Sequence, residues 1–260
     1  AVLVGIIRAM REANVQTPGS ITFVANVGEE GLGDLRGVKE LFGVANPTEK
    51  RGAGVPAQRA GAMAIDRFVA IDGAGLHITH VAVGSHRYRV TFRGPGGHSF
   101  GAFGLANPID ALGRAVAKIA EFQVPTQPRT TFNVGRIGGG TSVNSIPFEA
   151  WMEVDMRSSD PASRASLDAN FHRAVDVAGV EENDRWGTPR TITMVKDLVG
   201  DRPAGSTPAD APIVRSAQEV GRALGFSVAI GEGSTDSNVP ISLKIPAITI
   251  GGGGRGSGVH

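Results

Sequence analysis

The sequence predicts an α/β protein in which one domain, built on a mostly parallel sheet, is split by an inserted domain of order β-α-β-β-α-β. Three observations point there. Apolar runs of strand length alternate with helical stretches up to about residue 82 and again from about residue 207, the pattern of a parallel sheet covered by helices. Between them the texture changes to strands of alternating apolar and polar residues with two amphipathic helices interleaved. A chain of 260 residues is long enough for one large domain or two smaller ones. The domains are therefore expected at 1–82 plus 198–260, and at 83–197.

The elements follow in order. AVLVGIIRAMRE places Val2, Leu3, Ile6, Ile7 and Met10 on one stripe, which predicts a helix at about 2–13. NVQTPGS ends it, and ITFVANV (21–27) reads as a buried-type strand. DLRGVKELFG predicts a short helix, and RFVAIDGAG a second strand ending at Asp72. SHRYRVTFRG opens the alternating region. NPIDALGRAVAKIAEF is an amphipathic helix with Asn107 as its cap and Pro108 in its first position. TTFNVGRIGGG and EAWMEVDMRSS are strands joined by the polar turn TSVNSIP. PASRASLDANFHRAVDVAG is the second helix and RTITMVKD the last strand, so two helices are expected to cover one sheet. The edge strands of that sheet could pair with a second copy. The first texture then returns: APIVRSAQEVGRALG as helix, FSVAIGEG as short strand, KIPAITIGGGG as a third buried strand.

Composition excludes several classes. The chain is 41% hydrophobic and 20% charged, as globular proteins are. A net charge of +1 points to neither nucleic acid nor an anionic membrane surface. With no cysteine, disulfides and thiolate sites are excluded. No apolar run approaches the roughly 20 residues that span a bilayer. No export signal is visible, so the cytoplasm is the expected compartment. The 37 glycines cluster in short loops. The chain opens at Ala1 inside a helical pattern and stops at His260 directly after a glycine-rich loop, so it is expected to be a piece of a longer one.

Three strand ends carry candidate ligands. Glu29 and Glu30 follow ITFVANV, Asp72 follows RFVAI, and His260 follows PAITI and its glycine loop. Two adjacent like charges beside an apolar segment cost stability unless something positive offsets them. Sites in open parallel sheets form beyond the carboxyl ends of the strands. Carboxylate, carboxylate and imidazole together suit Zn²⁺, Mn²⁺ or Co²⁺. One glutamate would bind the metal, and its neighbour, left free, could act as a general base. Taken singly, Glu-Glu is an ordinary solvated loop pair and Asp-Gly an ordinary turn.

VGEEGLGDLRGVKELF, GPGGHSFG, GGTSVNSIP, GSTDSNVP and GGGGRGSGVH, in this order, resemble the zinc-dependent exopeptidase and deacylase superfamily. It includes peptidase T, carboxypeptidase G, acetylornithine deacetylase, succinyl-diaminopimelate desuccinylase and aminoacylase; IDGAG and GSTDSNVP are most like the peptidase T branch. The resemblance implies a zinc-exopeptidase-like catalytic domain and a ferredoxin-like insert that serves as dimerisation and lid domain. It implies two divalent metal ions, most often Zn, with Co and Mn possible, and a homodimer formed through the insert. Glu29 matches the general base, Glu30 a ligand of one metal, Asp72 a ligand of the other and His260 an imidazole ligand. His98 matches a histidine that reaches across the dimer to the oxyanion in the partner's site. Asn144 matches a residue that contacts substrate, Arg157 an arginine that binds a substrate carboxylate, and Ser234, Thr235 and Asp236 a loop facing the site. Arg255 lies beside His260 and could touch substrate.

The pattern departs from the family in one respect. A further histidine ligand and a bridging aspartate normally precede a helix such as AVLVGIIRAM, and no His-x-Asp stretch occurs in this chain. The 260 residues alone are therefore expected to bind metal only in part and to turn over little. The expected activity is hydrolysis of amide bonds in small peptides, of the aminopeptidase type. N-acyl amino acid deacylation and carboxypeptidase action remain open, as does a non-catalytic dimerising module.

Overall fold

The computed structural model describes residues 2–47, 64–187 and 191–255. Helix α1 (Val2–Glu12) forms where the apolar stripe predicts it, but none of its residues is buried. Helix α2 (Arg36–Leu41) follows the glutamate pair. Strands β1 (Phe68–Ile71) and β2 (His77–Ala82) complete the first part of the chain.

The segment 21–27, expected as a strand, joins no ladder among the described residues; Ile21 and Val27 remain 53% and 65% exposed. An apolar run holds strand form only when a neighbour takes up its backbone hydrogen bonds. Here a single backbone hydrogen bond among the described residues joins the segment to α2, from Gly37 N to Val27 O, with Arg36 N donating to Gly28 O just beyond it.

The insert consists of β3 (Gly84–Arg93), β4 (Gly97–His98), α3 (Pro108–Ala120), β5 (Thr130–Gly139), β6 (Ser145–Ile146), β7 (Glu149–Ser158), α4 (Pro161–Trp186) and β8 (Thr193–Arg202). Its main sheet has the order β5-β7-β3-β8, antiparallel throughout. Alternation turns Ala150, Met152, Val154 and Met156 of β7 inward, beside Tyr88, Val90 and Phe92 of β3. Helices α3 and α4 cover that face with Leu112, Ile119, Leu167, Phe171 and Val175. Each such side chain contributes about 1.5–3 kcal/mol when fully buried. The Asn107 side chain accepts the Ile109 amide and Pro108 opens α3, while Asp160 accepts the Ser163 amide to start α4. β8 continues to Arg202, opposite Ser85, so the sheet extends past residue 198.

The chain then returns to the first sheet through β9 (Gly205–Ser206), α5 (Pro212–Ala223), β10 (Ala229–Gly233), α6 (Asn238–Ser242) and β11 (Ala247–Ile250). That sheet has the order β1-β11-β2-β10, with β9 on β2. β1 with β11 and β2 with β10 run parallel, whereas β11 and β9 meet β2 antiparallel. No helix among the described residues is long and apolar enough to cross a membrane.

Candidate active site

The glutamate pair is set by an unusual loop. Gly28 has φ +73°, and a Cβ on Gly33 would stand 2.7 Å from the Gly28 backbone, so the turn closes only with glycine at both positions. Asp34 and Leu35 follow with φ 52° and 62°, left-handed for non-glycine residues. Burial holds them there. Leu35 is sealed against Val38 and Val239, and Asp34 accepts Lys39 Nζ at 2.6 Å and the Asp201 amide at 3.0 Å. The insert strand β8 thus grips the loop.

What offsets the glutamates is in part an arginine. Arg202, at the end of β8, donates from Nη1 to Glu29 Oε1 (3.0 Å) and to Ser234 Oγ (3.2 Å), and from Nη2 to the Glu29 carbonyl. Its side chain is only 4% exposed, and Glu29's 21%. Burial pushes the Glu29 carboxyl above its ordinary range, Arg202 pulls it back, and the charges of Glu30, Asp72 and Asp236 raise it again. Glu29 therefore lies within the field of three other carboxylates, and it is held rather than free. Glu30 is exposed.

Asp72 emerges from β1, its amide bonded to the Ile250 carbonyl at the end of β11. Beyond them Gly75 and Gly253 exchange hydrogen bonds, so the Asp72 loop is laced to the glycine loop carrying Arg255, itself exposed. His260 lies outside the described residues. The 234–238 loop is anchored from beneath: Thr235 and Ser237 hydroxyls bond Thr249 at 2.6 and 2.7 Å. Asp236 is left facing the acidic group. Its Oδ2 accepts from Asn26 at 2.8 Å, its Oδ1 is buried without a partner among the described residues, and burial raises its carboxyl further with help from Asp72.

The insert supplies a second grouping. β4 and β6 pair His98 with Ser145, which sets Asn144 beside the histidine; the Asn144 carbonyl accepts the Ser99 amide. His98 Nδ1 accepts from the amides of Phe100 and Gly101, both at 3.3 Å. In the neutral ring this leaves the proton on Nε2, so an exposed imidazole presents a donor outward. Arg157 joins neither grouping: its guanidinium is spent on Asp155, which also holds Arg87.

Arg202 was not among the residues that the sequence singles out. It is 173 positions from Glu29, and nothing in GDRPAG marks it.

Carboxylate oxygens are hard donors that suit a divalent cation, and one of them, the buried Asp236 Oδ1, has no partner among the described residues. Among the described residues, however, no three His, Cys, Asp or Glu side chains stand close enough together to hold one. A complete ligand set therefore needs a donor beyond them.

Comparisons with known proteins bear on the insert and on the fold. Residues 82–183 match the model of the M20 peptidase dimerisation domain. Succinyl-diaminopimelate desuccinylase of Bordetella avium (strain 197N) is 30% identical over 102 residues, 37% of this chain and 27% of that protein. The fold matches a tripeptidase from Staphylococcus aureus subsp. aureus Mu50 with TM-score 0.68 and 20% identity, and aminopeptidase PepT from Bacillus cereus ATCC 10987 with TM-score 0.67 and 21% identity. In both cases 96% of this chain is covered but 60% of the other, so the chain spans well under two thirds of the length of these relatives.

Proposed function

We propose that this chain, which carries an M20 peptidase dimerisation domain inside a fold shared with tripeptidase and aminopeptidase structures, serves the metal-dependent hydrolysis of amide bonds in small peptides. The observation that carries the reading is the position of Glu29: a half-buried carboxylate with a raised pKa, in the field of Glu30, Asp72 and Asp236. A carboxylate whose proton affinity is raised by burial suits proton transfer to and from water. Glu30 and Asp72, with His260, would hold the divalent cation, of which Zn²⁺, Co²⁺ and Mn²⁺ all suit the donors. When bound, it supplies Lewis acidity toward water and the scissile carbonyl.

Glu29 takes a proton from the attacking water and returns it to the leaving amine. His98, its donor fixed on Nε2, stabilises the developing oxyanion from the insert of a second copy, and Asn144 beside it orients substrate. A homodimer formed through the insert would bring these groups into the partner's acidic site. Ser234, Asp236 and Arg255 would line the approach, whereas the buried Thr235 hydroxyl is turned beneath the loop to Thr249. Arg157 would bind a substrate carboxylate only after releasing Asp155.

A panel of tripeptides, N-acyl amino acids and acyl-glutamates, with each metal added, tests the reading. Where the metal site is filled, cleavage of tripeptides is expected above the low turnover of the 260 residues alone, with Glu29→Gln lowering kcat by about 10²–10⁴-fold. Turnover confined to N-acyl substrates would instead make the protein a deacylase. One further reading, a non-catalytic dimerising module, is favoured by the match of residues 82–183 to the dimerisation-domain model. Elemental analysis separates the two, since the module binds no metal.

A further inference from the structure

We propose that Arg202 is the positioning residue for Glu29, so that a side chain rooted in the insert sets the orientation of the proposed base in the other domain. The proposal rests on the reading of Glu29 given above. Two separate bonds carry it. Arg202 grips the Glu29 side chain through Nη1 and the Glu29 backbone carbonyl through Nη2, which fixes both ends of one residue. A guanidinium offers this fork in a rigid plane, and an ammonium does not. The same Nη1 also donates to Ser234 Oγ, joining Glu29 to the loop that presents Asp236.

Arg202 is itself held firmly. It closes β8 opposite Ser85, and its own carbonyl accepts from Arg164 of α4. Its side chain is 96% buried, on the complement of the 4% exposure. A buried cation stays charged only beside a partner, and Glu29 is the one carboxylate it contacts in the described structure. The insert, the base and the substrate-facing loop therefore share one guanidinium. Any shift of the insert relative to the first sheet must move Glu29 or break these bonds.

The test is carbon NMR of the whole chain labelled with carboxyl-¹³C glutamate at fixed pH, with the Glu29 line assigned by its loss in Glu29→Gln. Arg202→Gln is expected to shift or broaden that line while leaving the other glutamate lines in place. Arg202→Lys should give a smaller change, and added guanidinium ion should return the Glu29 line of Arg202→Ala toward its original place. An unmoved Glu29 line would overturn the proposal. So would a common movement of all glutamate lines, because Arg202 would then merely support the fold. In tripeptide turnover, Arg202→Gln is expected to lower kcat by about 10²-fold with KM little changed, the cost of a misplaced catalytic group. The two readings fail separately: activity retained in Glu29→Gln removes the base assignment, whereas the NMR lines decide the role of Arg202 in either case.

Discussion

Lys39 shows how tightly the glutamate loop is built. Its ammonium, with a side chain 3% exposed, lies 2.6 Å from Asp34, whose side chain is 1% exposed, and 2.8 Å from the Asp201 carbonyl. These bonds hold Asp34 in a left-handed conformation that costs of order 1–3 kcal/mol. Removing one partner of a buried pair leaves a charge in a low-dielectric interior, which costs about 3–5 kcal/mol. Lys39→Met is therefore expected to lower the unfolding free energy by about that amount in urea titration; a change below 1 kcal/mol would show that water reaches the pair. At this scale the strand-end argument holds for Asp72, which follows β1, but not for Glu29 and Glu30, which follow a segment that joins no ladder among the described residues. Arg202 and Lys39 were not legible in the sequence, since cations that cross between domains leave no local mark. Glu29 also differs from expectation: it was read as a free base and is held by an arginine.

Elements were legible wherever period and punctuation agreed. β7 alternates strictly, and α3 and α4 each open on a capping side chain followed by proline. β2 escaped notice because HITHVA follows DGAGL without a clear break. The pairs β4–β6 and β2–β9 are too short to show a period. The segment 21–27 has the right composition for a strand, yet composition cannot supply a neighbour. The joint between β3, α4 and β8 carries a pH dependence. His86 of β3 bonds Asp168 of α4 through Nδ1 at 2.8 Å and approaches Asp201 of β8 through Nε2 at 3.4 Å. The two bonds, Asp168 first, raise its pKa to about 9 against burial and the charge of Arg164; Tyr88 and His172 complete the surroundings. A raised histidine pKa stabilises the fold fully below the unfolded value of about 6.5. That contribution is lost as pH rises through about 9. Asp168 and Asp201 are held below the usual carboxylate range, so their own effect appears only in acid. Stability in urea is expected to fall between pH 7 and 9.5, and His86→Gln should flatten that fall; an unchanged slope in the variant would assign it to other groups.

In the whole molecule, the chain crosses between its two sheets twice, at Val83 and at Pro203, and one side chain ties both crossings together. Asn238 Nδ2 donates to the Val83 carbonyl at 2.8 Å and to the Pro203 carbonyl at 2.9 Å, while its Oδ1 accepts the Thr235 amide. The side chain is 1% exposed, so no water can replace it cheaply. Asn238 opens α6 in the first domain, one residue past the loop that ends at Ser237. One amide thus ties both crossings between the domains, immediately beside the residues that face the acidic group. Asn238→Ala would remove the donor shared by two part-buried carbonyls, at about 0.5–1.5 kcal/mol for each bond lost. It should also widen the range of inter-domain distances, because the ties from Arg202, Lys39, Arg87 and Asp34 all run between the glutamate loop and the insert and none of them holds the linker carbonyls. The chain has no cysteine of its own, so Glu121→Cys in the insert and Arg222→Cys in the first domain accept a single dye pair without background. Single-molecule energy transfer is expected to give one narrow distance in the parent and a broader distribution in Asn238→Ala. Equal widths in the two proteins would mean that the arginine and lysine ties alone fix the joint, and that the linker carbonyls find other donors.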